Sequence, residues 1–149
     1  MELKQILRLV ELFRGLSDEQ LETIKHIAVK EVFQVGDIVF NQGDEGDKMY
    51  IVGSGQVEIQ IHSHTGYTYS AVYLGEGQVF GEMALIDDTT RSATVIGAQE
   101  DTTVYSIPRD DFTELCTANT AIGYLMMRNI AQDLSFKLRH NDFNRSIDD

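Results

Sequence analysis

The chain has 149 residues, 42% of them hydrophobic and 24% charged, which suits one soluble globular domain with its own core and excludes a low-complexity or disordered chain. A net charge of −12 and a pI near 4.6 exclude a basic face for nucleic-acid backbone. No apolar run reaches the ~20 residues of a membrane span, MELKQILRLVELF carries Glu2 and Glu11 with no cleavage site, and the single cysteine, Cys116, allows no internal disulfide, so a cytoplasmic protein off the membrane is expected. In chain order, Leu3, Ile6, Leu7 and Val10 recur at helical spacing and predict a first helix ended by Gly15. Ser17 with Gln20 three positions on is a capping-box pattern, and the helix it starts carries Leu21, Ile24 and Ile27.

Residues 1–28 are thus expected to be helical, and from 29 to 107 the texture changes. The runs KEVFQV, DIVF, MYIVGS, QVEIQIH, YTYSAVYL, RSATVIGA and TTVYSIP are β-rich, with turns at Gly36, Gly43, Gly55, Gly66 and Gly75-Glu76-Gly77. Close-set strands with glycine turns and no long helix between them point to a sandwich, jelly roll or barrel, not a parallel sheet. After Pro108 the chain turns helical over 109–140, first from Arg109 to Cys116, then in a longer helix to about His140 with Asn119 as its cap. Two apolar stripes are predicted on the long helix: Met127, Ile130, Leu134 and Leu138, which pack on the roll, and Ile122, Leu125 and Phe136, free to meet a partner helix or close over a ligand. Residues 141–149 are a polar, frayed tail. Cys116, beside Phe112 and Leu115, reads as an inert core thiol.

The most informative stretch is FGEMALIDDTTRSATV, residues 80–95. Gly81 has no side chain to block a ligand's approach. Glu82 to Ile86 make one or two turns of helix, whose first amides lack intrahelical acceptors and attract an anion such as phosphate. Arg91 supplies a planar, permanently charged fork suited to phosphate oxygens. Glu82 repels phosphate, and a carboxylate beside a phosphate cradle commonly accepts from a ribose hydroxyl. The bland alternative is a purely structural Glu82–Arg91 pair, although burying such a pair is rarely a net gain in stability.

These residues resemble the phosphate-binding cassette of cyclic nucleotide-binding domains, the sensors of bacterial cAMP receptor proteins, protein kinase regulatory subunits and gated channels. Phe80, Gly81, Glu82, Ala84 and Leu85, then Arg91, Ser92, Ala93, Thr94 and Val95, match its pattern; Thr90 departs from it where many relatives carry proline. The resemblance runs from about residue 10 to 140. It implies a mainly β fold, a double-stranded β-helix or jelly-roll-like β-roll, with N-terminal helices, a short cassette helix and a long C-terminal helix. The implied function is a non-catalytic sensor of a cyclic nucleoside monophosphate, with no metal and no cofactor. Arg91 would pair with the phosphate, helped by Gly81, Ser92 and the amides of Met83 and Ala84. Glu82 would accept from the ribose, and Ile59 and Ala71 would wall the base. Gly43 would lie near the phosphate, and Phe136, Lys137 or Leu138 would reach the base.

The resemblance favours cAMP, since bacterial relatives usually bind it, but Ser92 could also serve cGMP. In the family the last helix is a lid or dimer seam, so a homodimer or an unidentified partner protein is expected. The family's DNA-binding regulators carry a C-terminal helix-turn-helix, and with the sequence ending soon after His140 no DNA-reading output is expected. The alternative is a degenerate member, a protein-interaction module that no longer needs a ligand.

Other chemistry is weaker. His62-Ser63-His64 lacks the following glutamate of a cupin-type metal site and reads as a hairpin tip. Asp44-Glu45-Gly46-Asp47 lacks calcium-loop spacing, Gly75-Glu76-Gly77 lacks a strand-turn-helix context, and Asp87-Asp88 is the exposed tip of the cassette loop.

Overall fold

Left-handed glycines turn the β-rich stretch back on itself at Gly36, Gly43, Gly55, Gly66 and Gly77, each with a φ that favours glycine. A computed structural model describes residues 1–140; the tail predicted for 141–149 lies outside them. The fold is the expected one, mainly β with helices at both ends. Its strands are β1 (Val29–Phe33), β2 (Ile38–Phe40), β3 (Glu45–Gly46), β4 (Lys48–Ser54), β5 (Val57–His62), β6 (Thr68–Leu74), β7 (Val79–Phe80), β8 (Thr89–Thr90), β9 (Thr94–Gly97) and β10 (Thr102–Pro108). They form two four-stranded antiparallel sheets, ordered β1-β10-β4-β7 and β2-β9-β5-β6, and a small β3-β8 ladder. The two-residue strands β3, β7 and β8 are too short to show any alternation in sequence.

β4 explains why this sheet sits between two cores. Met49 and Ile51 point out toward the helices, Tyr50 and Val52 point into the roll, and all four are buried. A strand covered on both faces has no polar side, hence the continuous apolar run MYIV. Inside the roll Tyr50 and Val52 meet Val57, Phe80, Val95 and Val104. Outside it, Met49, Ile51 and Ile107 meet Ile6, Leu7, Leu21, Ile24, Phe112, Ile122, Met126 and Ile130 from the helices.

The first helix, α1 (Leu3–Leu9), stops well before Gly15. A 3-10 turn, Glu11–Phe13, follows, and Gly15 at φ 87 redirects the chain. α2 (Asp18–Ile27) starts with the predicted capping box: Gln20 N–H donates to Ser17 Oγ at 3.2 Å and Ser17 N–H to Gln20 Oε1 at 2.8 Å. α3 (Arg109–Ala118) leads into the 21-residue α4 (Thr120–His140), capped by Asn119 Oδ1, which accepts from Ile122 N–H at 3.2 Å. Asn129, fully buried on α4, donates through Nδ2 to the carbonyls of Leu12 and Arg14, tying α4 to the N-terminal turn.

The predicted stripes of α4 are redistributed. The buried face runs through Ile122, Met126 and Ile130, with Leu134 half-buried against them. Met127 and Leu138, expected on that face, are 43% and 61% exposed, and Phe136 is exposed while Ile122 is not. At about 100° per residue, Met127 and Leu138 lie roughly three turns apart on a shared outer face, away from Ile122 and Met126. Phe136 exceeds the reach of the core because α4 runs past it toward the cassette. Cys116 is half-buried and burial raises its thiol pKa. No described helix is long and apolar enough to cross a membrane.

Candidate functional site

Phe80 leaves the sheet and Gly81, at φ 74, makes the sharp exit a side chain would resist. One 3-10 turn, Glu82–Leu85, follows. Its i to i+3 bonding engages the Ala84 amide with Gly81 O at 3.1 Å. The Glu82 and Met83 amides meet no acceptor among the described residues. Leu85 is 2% exposed and belongs to the core that includes Met126 and Ile130 of α4. The cassette is therefore anchored on the same apolar cluster as the C-terminal helix.

Arg91 is 7% exposed. Its position is set by two backbone bonds: Arg91 N–H donates to Asp44 O at 2.7 Å, and Gly43 N–H donates to Arg91 O at 2.8 Å. Its Nη2 donates to Lys48 O at 2.8 Å, while Nε is buried with no partner among the described residues. No carboxylate pairs with it among them either; Asp44 and Asp47 act only through their field. Burial lowers the Arg91 pKa from its ordinary value, and Tyr50, Asp47 and Asp44 oppose that shift. Two glycines give the guanidinium room. A Cβ on Gly46 would fall 2.9 Å from Arg91 Cζ, and one on Gly81 would fall 2.6 Å from Nη1. Of the two glycines in the 43–46 turn, Gly46 presses against this side chain, while Gly43 meets only its backbone.

A hollow of about 460 Å³ opens here, and Gly81, Glu82, Met83, Ala84, Arg91, Ser92 and Ile59 all line it. Phe40, Phe80 and Val95 also line it; Phe80 and Val95 belong to the cassette pattern without an assigned role, and Phe40 goes unnoticed in sequence because it sits in the ordinary apolar run DIVF. Ala71 is not on that wall. It is exposed in β6, at the bulge where the register slips opposite Ile59 and Gln60. Of the three predicted lid residues, Lys137 enters the hollow and its Nζ meets Glu82 Oε1 at 2.6 Å. Phe136 faces an adjoining groove with Leu9, Leu12, Leu74 and Val79, and Leu138 is exposed.

A second hollow of about 540 Å³ adjoins the cassette loop, lined by Glu45, Gly46, Asp47, Asp88 and Arg109 and sharing Thr89 and Thr90 with the first. Here both terminal nitrogens of Arg109 are engaged: Nη2 with Asp88 at 2.8 Å, and Nη1 with the carbonyls of Gly46, Ala84 and Asp87. At the hairpin tip, His62 bridges Thr68 and Thr94 through its two ring nitrogens at 2.7 and 3.0 Å, so it latches the β5–β6 hairpin onto the Thr94 strand.

A family model described as "Cyclic nucleotide-binding domain" matches residues 30–119. The chain belongs to the cyclic nucleotide-binding domain family. It is 32% identical over 131 residues to the cyclic AMP receptor protein of Thermus thermophilus, covering 88% of this chain and 58% of that protein. It is 30% identical to the cAMP-dependent protein kinase regulatory subunit of Dictyostelium discoideum, over 88% of this chain and 39% of that one. The crystal structure of the Thermus thermophilus catabolite activator protein superposes with a TM-score of 0.81 at 31% identity, over 92% of this chain and 62% of that one. The chain thus spans 58% and 39% of the length of these two curated relatives. In this cyclic nucleotide-binding domain the cassette, the buried arginine and the hollow between them coincide in space.

Proposed function

We propose that this domain reversibly captures cAMP and transmits its occupancy through α4 without catalysing a reaction. The observation that carries this is Arg91: a buried cation that, among the described residues, has an unpartnered Nε and no carboxylate, with a hollow beside it. A phosphate would supply the missing counter-charge, with the Glu82 and Met83 amides and Ser92 as further donors. Glu82 would accept from the ribose 2′-hydroxyl and Ile59 would wall the base. cAMP is proposed by analogy with the receptor protein and the kinase regulatory subunit, although cGMP-dependent protein kinase 2 of Mus musculus matches this chain at a similar 31% identity. A net charge of −12 favours a protein partner over nucleic acid as the receiver of the signal. The exposed Tyr124, Met127 and Leu138 on α4 offer an apolar face for a second copy of the chain.

Glu82 couples ligand to helix. Its carboxylate is held through Oε1 by Lys137 of α4, so a ribose hydroxyl that takes over Oε1 displaces Lys137. Leu85 offers a second route, through Met126 and Ile130. A ligand moves α4 only by favouring one of its arrangements over another. Hydrogen exchange over residues 119–140 should therefore change on adding cAMP, and identical protection with and without it would rule the coupling out. A thermal-shift titration tests capture itself. At about 100 times the dissociation constant one site adds roughly 2.7 kcal/mol, a rise of several degrees for a domain of this size. No shift with either cAMP or cGMP would favour the degenerate interaction module instead.

A further inference from the structure

A buried guanidinium without a counter-ion among the described residues needs something else to hold its charge and its orientation. Arg91 Cζ lies 4.1 Å from the centroid of the Phe40 ring and 5.8 Å from that of Tyr50. Both fall inside the reach of about 6 Å over which a cation is drawn to a π-face. Phe40 is itself held in place by two tilted ring contacts, with Tyr50 at 5.7 Å and Phe80 at 5.9 Å. Tyr50 and Phe80 stack beneath at 5.0 Å, their planes 8° apart, and both are 6% exposed. The sheet register delivers the ring: Phe40 pairs with Val95, in the strand that directly follows Arg91.

The two ways of holding an arginine differ in what they leave over. A carboxylate binds the N–H edge, which is the edge a phosphate needs. An aromatic ring takes the flat face and leaves the edge open. Among the described residues the edge of Arg91 makes one hydrogen bond, from Nη2 to Lys48 O.

We infer that Phe40 is a positioning residue for anion capture, holding the Arg91 guanidinium by its face so that its remaining N–H groups stay available to a phosphate. This rests on the reading of the site given above and assigns a role within it. Because Phe40 also lines the hollow, the test must separate action through Arg91 from direct contact with the ligand.

A double-mutant cycle does so. Phe40→Leu keeps an apolar side chain and removes the π-face; cAMP affinity should fall about tenfold, with the melting temperature lowered by only a few degrees. Phe40→Tyr keeps a π-face and should stay within about threefold of wild type. In an Arg91→Gln background, with weak binding followed by the amide shifts of Glu82 and Met83 at millimolar nucleotide, Phe40→Leu should change nothing further. An equal tenfold loss in that background would assign the ring to the ligand and overturn the inference, as would an undiminished affinity for Phe40→Leu alone. Ligand-free NMR gives a second readout: ring current should shift the Arg91 side-chain protons upfield in wild type and in Phe40→Tyr but not in Phe40→Leu. Unshifted protons in wild type would remove the contact from which the role follows. If wild type binds no cyclic nucleotide, the reading of the site fails and this role falls with it; intact binding without coupling to Arg91 sinks only the role of Phe40.

Discussion

Two hollows adjoin the cassette, each with an arginine in its wall, and they differ in how those arginines are occupied. The larger, at about 540 Å³, holds Arg109, which is tied to Asp88 and to three backbone carbonyls and sits among Glu45 and Asp47. The smaller, at about 460 Å³, holds Arg91, which among the described residues has one carbonyl partner, a buried unpartnered Nε and no carboxylate. On the proposed function, volume alone would pick the wrong one. An anion site is marked by donors whose partners are missing, since a buried polar group left unpaired costs roughly 1–3 kcal/mol and gains it back when a ligand arrives. Arg109 is a staple that joins the Gly46 wall to the cassette loop, whereas Arg91 is a donor still in reserve.

That contrast can be broken most decisively by removing each arginine in turn. Arg91→Ala should weaken cyclic nucleotide binding by about 100-fold or more, roughly 3 kcal/mol for the lost charge-assisted bonds, while changing thermal stability little. Arg109→Ala should do the reverse, lowering stability by about 1–3 kcal/mol with less than a tenfold loss of affinity. Calorimetric titration and thermal denaturation of both variants read the two effects side by side, and equal affinity losses would erase the distinction. Gly81→Ala comes next. It adds a Cβ 2.6 Å from Arg91 Nη1 at a left-handed position, and should cost about 1–3 kcal/mol of stability along with a loss of affinity, measurable by denaturant unfolding and by titration. The smallest effect belongs to Lys137→Ala. The Lys137–Glu82 pair is half exposed on the lysine side, so stability should change by less than about 1 kcal/mol. Affinity for cAMP should rise a few-fold as Glu82 is freed, and a fall would show that Lys137 serves the ligand and not the empty state.

Much of this was legible in the sequence because local chemistry and fold agree. The capping box at Ser17 and Gln20, the cap at Asn119, the glycine turns and the placement of Gly81, Glu82 and Arg91 all follow from short-range rules that survive folding. What stayed hidden depends on long-range register. Phe40 in DIVF carries no local sign that it will lie over a guanidinium that is distant along the chain. Gly46 looks like one more turn residue until Arg91 presses against it. The resemblance places Ala71 on the wall, but Ala71 falls at the bulge in β6, unpaired and exposed, which no local feature of YTYSAVYL announces. The stripes of α4 could not be sorted without knowing that the helix passes beyond the core, which leaves Phe136 exposed and brings Lys137 onto Glu82.

The central claim is that an unpaired buried arginine, and not the roomier acidic cavity, receives an anionic ligand. A crystal structure of the domain with cAMP tests it most directly. The nucleotide should occupy the smaller hollow with its phosphate within hydrogen-bond reach of the Arg91 guanidinium and the Met83 amide, its ribose on Glu82 and Lys137 displaced. A nucleotide lodged beside Arg109, or a hollow still empty with Lys137 on Glu82 at saturating cAMP, would contradict it.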